Sequence, residues 1–265
     1  MAGHVSWLDV ALFVVFYFLT LMGITVAFHR YFAHNSFKTG RIMKNILAVL
    51  GTWCGQGPIL HWVSNHRRHH TLSDKPGDPH SPNLHGTGLW NRWRGLCHAH
   101  IGSMFVNEVP NSMFYAPDLI RDPDLRWINK HYVSITISGL LLPALIGGLA
   151  TSSLGGALTA LLWGGFVRMM VVHHAIWSIT SVAHVVGKKR FVCSDESRNS
   201  YALALLTGGE GWHNTHHTFP RSAYFATRWF ELDIGGVVVA TLQQLGIIWD
   251  VRRPTPGQLK ARAIS

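Results

Sequence analysis

Histidines stand where apolar segments end, and that juxtaposition limits the folds open to this chain. His66-Arg67-Arg68-His69-His70 follows an apolar stretch, and the same HxxHH spacing returns at His213-Asn214-Thr215-His216-His217. A looser pair, His29 and His34, follows the first apolar run. On a helix, positions i, i+3 and i+4 share a face, so each HxxHH forms a narrow stripe of imidazoles. His66 and His70, one turn apart, can grip one metal ion, while His69, offset to the side, is free to reach a second. To act together, the clusters must lie on one side of whatever the apolar segments cross.

Residues 8–28 (Leu8 to Phe28) are almost wholly apolar. At about 1.5 Å per residue they reach roughly 32 Å, enough to cross a bilayer core. Residues 133–151 and 157–177 form two further stretches, joined by Ser152-Ser153-Leu154-Gly155-Gly156, which predicts an antiparallel transmembrane hairpin. Residues 42–63 are also apolar, but Gly51, Gly55, Gln56, Gly57 and Pro58 interrupt them. A true span there would place His29/His34 and His66–His70 on opposite sides. An in-plane or re-entrant segment returns to the side it left and unites them. His184 and His213–His217 then join the same face. That face is rich in Lys and Arg, with eight between residues 64 and 132 and ten between 177 and 265, as the positive-inside bias expects. The expected fold is therefore an all-α integral membrane protein of about three transmembrane helices plus an in-plane or re-entrant helix. A helical cytosolic cap holds the histidines, a short N-terminus lies outside, and residues 1–265 form one domain. Four true spans would split the clusters. Residues 234–249 are apolar too, but their short length, with Gln243 and Gln244, suits a helix packed on the cap or interface.

Composition agrees. Hydrophobic residues make up 48% and charged ones 14%, with 11 Trp, a membrane-protein mix. The net charge of +10 fits the same orientation bias; no basic helix or aromatic RNA-binding pattern points to nucleic acid. Cys54, Cys97 and Cys193 are isolated, which predicts no disulfide framework, iron–sulfur cluster or structural zinc. The N-terminus has no basic flank or small-residue cleavage site of a signal peptide. Of the 18 His, nine fall in the three clusters or at His184. A structural zinc takes about four ligands and a catalytic zinc about three, so nine exceed both. Two roughly six-coordinate metals, each with four or five His and an open position, fit the number. Neutral nitrogen ligands suit iron, copper, nickel or zinc. An open-sided iron pair suits O2 and attack on an unactivated C–H bond. Asp74, Asp78, Asp195, Glu210 and Asn214 stand near enough in sequence to accept the second ring N–H of ligand histidines, or else are solvated cap residues.

His29-Arg30-Tyr31-Phe32-Ala33-His34, Asn65-His66-Arg67-Arg68-His69-His70 and the run from Gly209-Glu210-Gly211-Trp212-His213 to His216-His217-Thr218-Phe219-Pro220 resemble the three histidine boxes of membrane fatty acid desaturases. The stearoyl-CoA (acyl-CoA Δ9) desaturase family is the most similar group. Gly23-Ile24-Thr25, Asp78-Pro79-His80 and Trp177 to His184 with Gly187 extend the resemblance, which covers about residues 8–253. It implies two irons, one held by His29, His34, His66, His70 and His216, the other by His69, His184, His213 and His217. It also implies a bent acyl tunnel, with Gln56, Trp62 and Trp177 at the bend and Tyr17 and Leu21 near the closed end. Without the resemblance each of these five reads as a core or interface residue. Thr180 replaces an Asn that holds a metal-bound water. Ser64-Asn65 replaces the Arg-Asp pair that helps hold CoA in the animal enzymes, which weakens the case for CoA. The family's extra N-terminal span has no counterpart ahead of Leu8. Arg168 matches a family Arg, and an intramembrane charge is read as functional unless packing explains it. His173 and His174 read as interfacial or near the metals, and His80, though in a family motif, is not expected to be a ligand.

The resemblance implies an O2-dependent di-iron desaturase that inserts a cis double bond, Δ9 by family, into a saturated fatty acyl chain. The acyl group rides on CoA, a carrier protein or a lipid. With no fused haem domain and no cluster cysteines, electrons are expected from a separate ferredoxin, rubredoxin or cytochrome b5, docked on the basic face. The expected location is a bacterial inner membrane or the endoplasmic reticulum, with the catalytic face cytosolic. A hydroxylase or acetylenase uses the same irons with another fate for the substrate. A membrane zinc hydrolase or metal-handling protein, working without O2, is the rival of another class, and a non-enzymatic structural membrane protein is a third.

Overall fold

The computed structural model describes residues 5–106 and 108–264. Ser6 opens the first helix: its hydroxyl accepts the Asp9 amide while the Asp9 carboxylate accepts the Ser6 N–H. Three helices are long and apolar enough to cross a membrane: Trp7–Ala33, Tyr132–Thr151 and Leu154–His184. The first carries the core and the other two form the hairpin. Val133, Ile137, Leu141, Leu145 and Leu149 recur every fourth residue and are exposed, as are Leu158, Leu162, Phe166 and Met170. These two stripes are the lipid-facing sides of the hairpin. Its helices touch through small residues. A Cβ added to Gly147 would lie 2.3 Å from the Ala160 Cβ, so glycine sets the close approach.

The hairpin turn is tighter than expected from sequence. Ser152, at φ 48°, and Ser153 make the whole turn, and the Ser153 hydroxyl accepts the Gly156 N–H. That cap draws Leu154, Gly155 and Gly156 into the helix. The first and third spans also run past their apolar stretches, to Ala33 and His184. The last stretch of the first span, Gly23–Ala33, widens to a π-helix, with the His34 N–H reaching the His29 carbonyl at 3.1 Å.

Residues 42–63 form no single span. Helix Arg41–Thr52 is about 18 Å long by its rise, short of a roughly 30 Å core. The chain then turns through Gly55 and Gly57, both at positive φ, before helix Ile59–Leu72. Leu47, Ala48 and Gly51 are buried while Ile42 stays exposed. The second helix returns His66 to within 2.8 Å of His34, which is the re-entrant path. Arg168 is explained by packing: its guanidinium donates to the Gly164 and Gly139 carbonyls at 3.0 Å and to Trp53 at 3.3 Å. It pins both hairpin helices to the re-entrant turn.

The cap joins its short helices with loops, isolated bridges such as Lys188 to Asn199, and one two-residue ladder, Lys38–Thr39 against Ile248–Trp249. That ladder explains why 234–249 is not one helix. Ile234–Gln244 stops ahead of Gly246, whose φ of 70° turns the chain into the strand.

Candidate metal centre

Four segments deliver the histidines. The π-helical end of the first span carries His29, with His34 just past it. Helix Ile59–Leu72 carries His66, His69 and His70; His184 ends the third span, and the short helix His213–Thr218 carries the last three. The imidazole nitrogens gather in two groups, each with ligand atoms within 4.8 Å of one another. One group is His29, His34, His66, His70 and His216; the other is His69, His184, His213 and His217. Both HxxHH stripes split the same way, with i and i+4 in one group and i+3 in the other.

Nε2 atoms face each other across short gaps: His29 to His216 at 2.9 Å, His70 to His216 at 2.9 Å, and His184 to His213 at 3.0 Å. Carboxylates stand behind several rings. Glu210 meets the His29 Nδ1 at 2.5 Å, Asp78 that of His69 at 2.9 Å, Asp74 that of His184 at 2.9 Å, and Asp195 that of His217 at 2.8 Å. A carboxylate accepts, so these Nδ1 atoms carry the protons and the Nε2 atoms present lone pairs inward. The buried His217 Nε2 has no hydrogen-bond partner. Lone pairs converging without protons are the donor set a cation requires, and neutral imidazoles suit a transition metal such as iron.

Burial, with neighbouring imidazoles, holds His34, His66, His70, His213, His216 and His217 well below the ordinary histidine range. The nitrogens are therefore neutral and available. For Asp78, burial acts to raise the carboxyl, but His69 and His80 outweigh it and bring it down to about 2. Glu210 is likewise lowered: burial opposes, and His29 and Arg30 prevail.

Of the carboxylates and amide expected behind the rings, Asn214 behaves differently. Its Oδ1 accepts the Arg190 and Phe191 amides at 2.8 Å and its Nδ2 donates to the Phe191 carbonyl. Its Nδ2 also donates to the Cys193 Sγ at 3.2 Å, so it holds the 190–193 segment rather than a ring. Arg30 belongs to the site as well, a role that its place directly after His29 does not by itself disclose. Its buried guanidinium donates to Glu210 at 2.7 Å, Asp233 at 2.8 Å and the Thr25 and Ala223 carbonyls, and lies 3.7 Å over the Phe225 ring. Gly209, at φ 116°, makes room for this: a Cβ there would sit 2.3 Å from Asp233 Oδ1. The signal was a charge next to His29 at the end of an apolar run. His80 packs on His69 with ring centroids 4.4 Å apart.

A cleft of about 700 Å³ runs beside the centre, lined by Gln56, Trp62, Trp177 and Thr180 among others. A smaller void of about 40 Å³ adjoins it, sharing Trp62, His66 and Thr180 and touching His29, His69 and His213. The Thr180 hydroxyl lies 3.0 Å from both the Ala99 and Trp177 carbonyls, and its lone pairs stay free. Tyr17 and Leu21 line neither space. Tyr17 donates to the Leu206 carbonyl at 2.6 Å, and Leu21 is buried in the core against Gly208. His173 meets the Cys54 carbonyl and His174 meets His100.

Known proteins match along nearly the whole chain. The profile of the family described as fatty acid desaturase matches residues 6–234. A hex-5-enoyl-[acyl-carrier protein] acetylenase of Moorena producens (strain JHB) is 45% identical over 98% of this chain and 82% of its own length. The sn-1 stearoyl-lipid 9-desaturase of Anabaena variabilis is 34% identical over 94% of this chain and 86% of its own. That of Synechocystis sp. (strain ATCC 27184 / PCC 6803 / Kazusa) is also 34% identical, over 94% and 73%. With three membrane-length helices and clustered histidines, this chain belongs to the fatty acid desaturase family and is an O2-using, di-iron, fatty-acid-modifying oxidoreductase.

Proposed function

We propose that this enzyme is an acetylenase, converting a double bond in a short acyl chain on an acyl carrier protein into a triple bond. The observation that carries this reading is the 45% identity to the Moorena acetylenase, against 34% for the two stearoyl-lipid 9-desaturases. The substituted CoA positions agree. Ser64 is buried and donates to Ser112, and Asn65 pairs with His61, so neither offers a charge to CoA. A space that does not reach Tyr17 or Leu21 also suits a short chain.

Iron held by His29, His34, His66, His70 and His216, and by His69, His184, His213 and His217, would supply with O2 the oxidant for an unactivated C–H bond. The balance is R–CH=CH–R′ + O2 + 2 e⁻ + 2 H⁺ giving R–C≡C–R′ + 2 H2O. The electrons come from a separate carrier such as a ferredoxin, a rubredoxin or cytochrome b5, meeting the basic, cytosolic face. Gln56, Trp62 and Trp177 wall the cleft, stopping chain rotation so that one pair of carbons faces the centre. Thr180, beside His213, positions a water through its free lone pairs. Ile24 and Ile176 give the inner void apolar walls.

A second reading, cis desaturation at Δ9 of a saturated chain, draws on the stearoyl-lipid relatives. Iron-loaded protein in nanodiscs, with ferredoxin and its reductase, separates them. Hex-5-enoyl and hexanoyl carrier protein and a stearoyl lipid are supplied in turn, and products are read by mass spectrometry. An alkyne from the hexenoyl substrate supports the proposal. Oleoyl lipid alone moves the assignment to the second reading, and a hydroxylated acyl chain to a hydroxylase.

A further inference from the structure

Among the described residues, nothing covers one apolar side of helix Leu89–His100. Leu89, Trp90 and Trp93 are 87%, 70% and 59% exposed, Cys97 is exposed, and Ile101 follows at 40%. Positions 90, 93, 97 and 101 fall on one helical face. Met104 and Phe105 continue the exposed apolar surface. Gly95 and Ala99 are buried on the other side, and Arg94, exposed, flanks the stripe.

The depth of this helix follows from what it touches. His100 Nε2 lies 3.0 Å from His174 Nδ1, His100 Nδ1 lies 3.0 Å from the Ser181 hydroxyl, and Thr180 donates to the Ala99 carbonyl. His174 stands ten residues before the end of the third span at His184, about 15 Å along the helix axis. The end of Leu89–His100 therefore lies well to the membrane side of the histidine centre. One turn before His174 comes Met170, the last residue of the span's exposed stripe. The two apolar stripes approach one another there. The same segment walls the cleft through His98, Ala99, His100, Ser103 and Met104.

We infer that Leu89–Phe105 is an interfacial anchor, its Trp90–Trp93–Cys97–Ile101 stripe sunk in the bilayer, and that the cleft it walls opens toward lipid. Tryptophans at the rim with an arginine, Arg94, beside them are the chemistry of a helix lying in the headgroup region, its guanidinium within reach of lipid phosphates. Continuity with a lipid-facing span selects a bilayer over a soluble protein as the occupant. The acyl chain thus passes the cleft wall at the level where lipid tails begin.

Cys97 is the one exposed cysteine among the three, so the native chain carries its own probe site. It is labelled with nitrobenzoxadiazole in nanodiscs of phosphatidylcholine and phosphatidylglycerol. Quenching by iodide is compared with quenching by 5-doxyl phosphatidylcholine. Trp229→Cys in a Cys97→Ser background, at a cap residue 95% exposed, is the solvent reference. The expected result is several-fold stronger doxyl quenching at Cys97 than at Trp229→Cys, with iodide ordered the other way. In Trp90→Asp/Trp93→Asp, iodide access at Cys97 should rise while bound iron stays unchanged. Iodide quenching of Cys97 equal to the reference overturns the inference. So does resistance to both quenchers with Cys97–Cys97 cross-linking, which would mean a second copy covers the stripe.

Discussion

Behind the five-imidazole group stands one carboxylate, Glu210, already paired with Arg30. Behind the four-imidazole group stand three, Asp74, Asp78 and Asp195. Their other partners are amides, hydroxyls and a thiol: Glu196 N–H, Ser81 and Asn83 for Asp74, Asp74 and His80 N–H for Asp78, Ser197 N–H and Cys193 for Asp195. Among the described residues none of the three side chains pairs with Lys or Arg. One group thus has more nitrogen donors and the other more uncompensated negative charge, so two cations held side by side would not be equivalent. The difference teaches that an imidazole count alone does not rank the sites. The groups hydrogen-bonded behind the rings also set ring orientation and basicity.

The largest expected effect comes from removing a ring. His66→Ala and His213→Ala should each abolish product, and each should lower bound iron from about two per chain to about one, since each group forms its own site. Arg30→Met comes next. It leaves Glu210 and Asp233 buried without their cation, which should destabilise the fold by about 3–5 kcal/mol, measured by unfolding in detergent. It would also free Glu210 to charge the five-imidazole side, narrowing the contrast. Smaller effects follow from carboxylate neutralisation. Glu210→Gln should weaken metal binding about 10–100-fold at the five-imidazole group, and Asp78→Asn similarly at the other. Competitive chelator titrations read both, and equal loss from both groups in either variant would erase the distinction. The smallest effect is one of order. In native protein a chelator should strip iron in two phases, the five-imidazole group first because less negative charge backs it.

What short-range patterns encode was legible in the chain. The HxxHH spacings placed His66 and His70 apart from His69, and the hydropathy of 8–28 and 133–177 located the spans. Gly and Pro at 55–58 told of a chain that turns back. What lay hidden depends on partners distant in sequence. Arg30 meets Glu210 180 residues on and Asp233 203 residues on, and no local pattern announces that closure. Asn214 sits inside a histidine box, yet its side chain serves the backbone at 190–191. The helix ends were set by Ser153 as a cap and by the extension to His184, which hydropathy windows do not see. The reaction outcome is not legible in these patterns, because desaturation and acetylenation would draw on the same histidines.

Two imidazole groups make two separate positions for metal, and that separation can be read from the iron itself. Iron-57 Mössbauer spectroscopy of purified nanodisc protein tests it most directly, on wild type beside His66→Ala and His213→Ala. Wild type should show two iron environments of equal area, and each variant should lose a different one. A single environment in wild type, or loss of both from either folded variant, would contradict it.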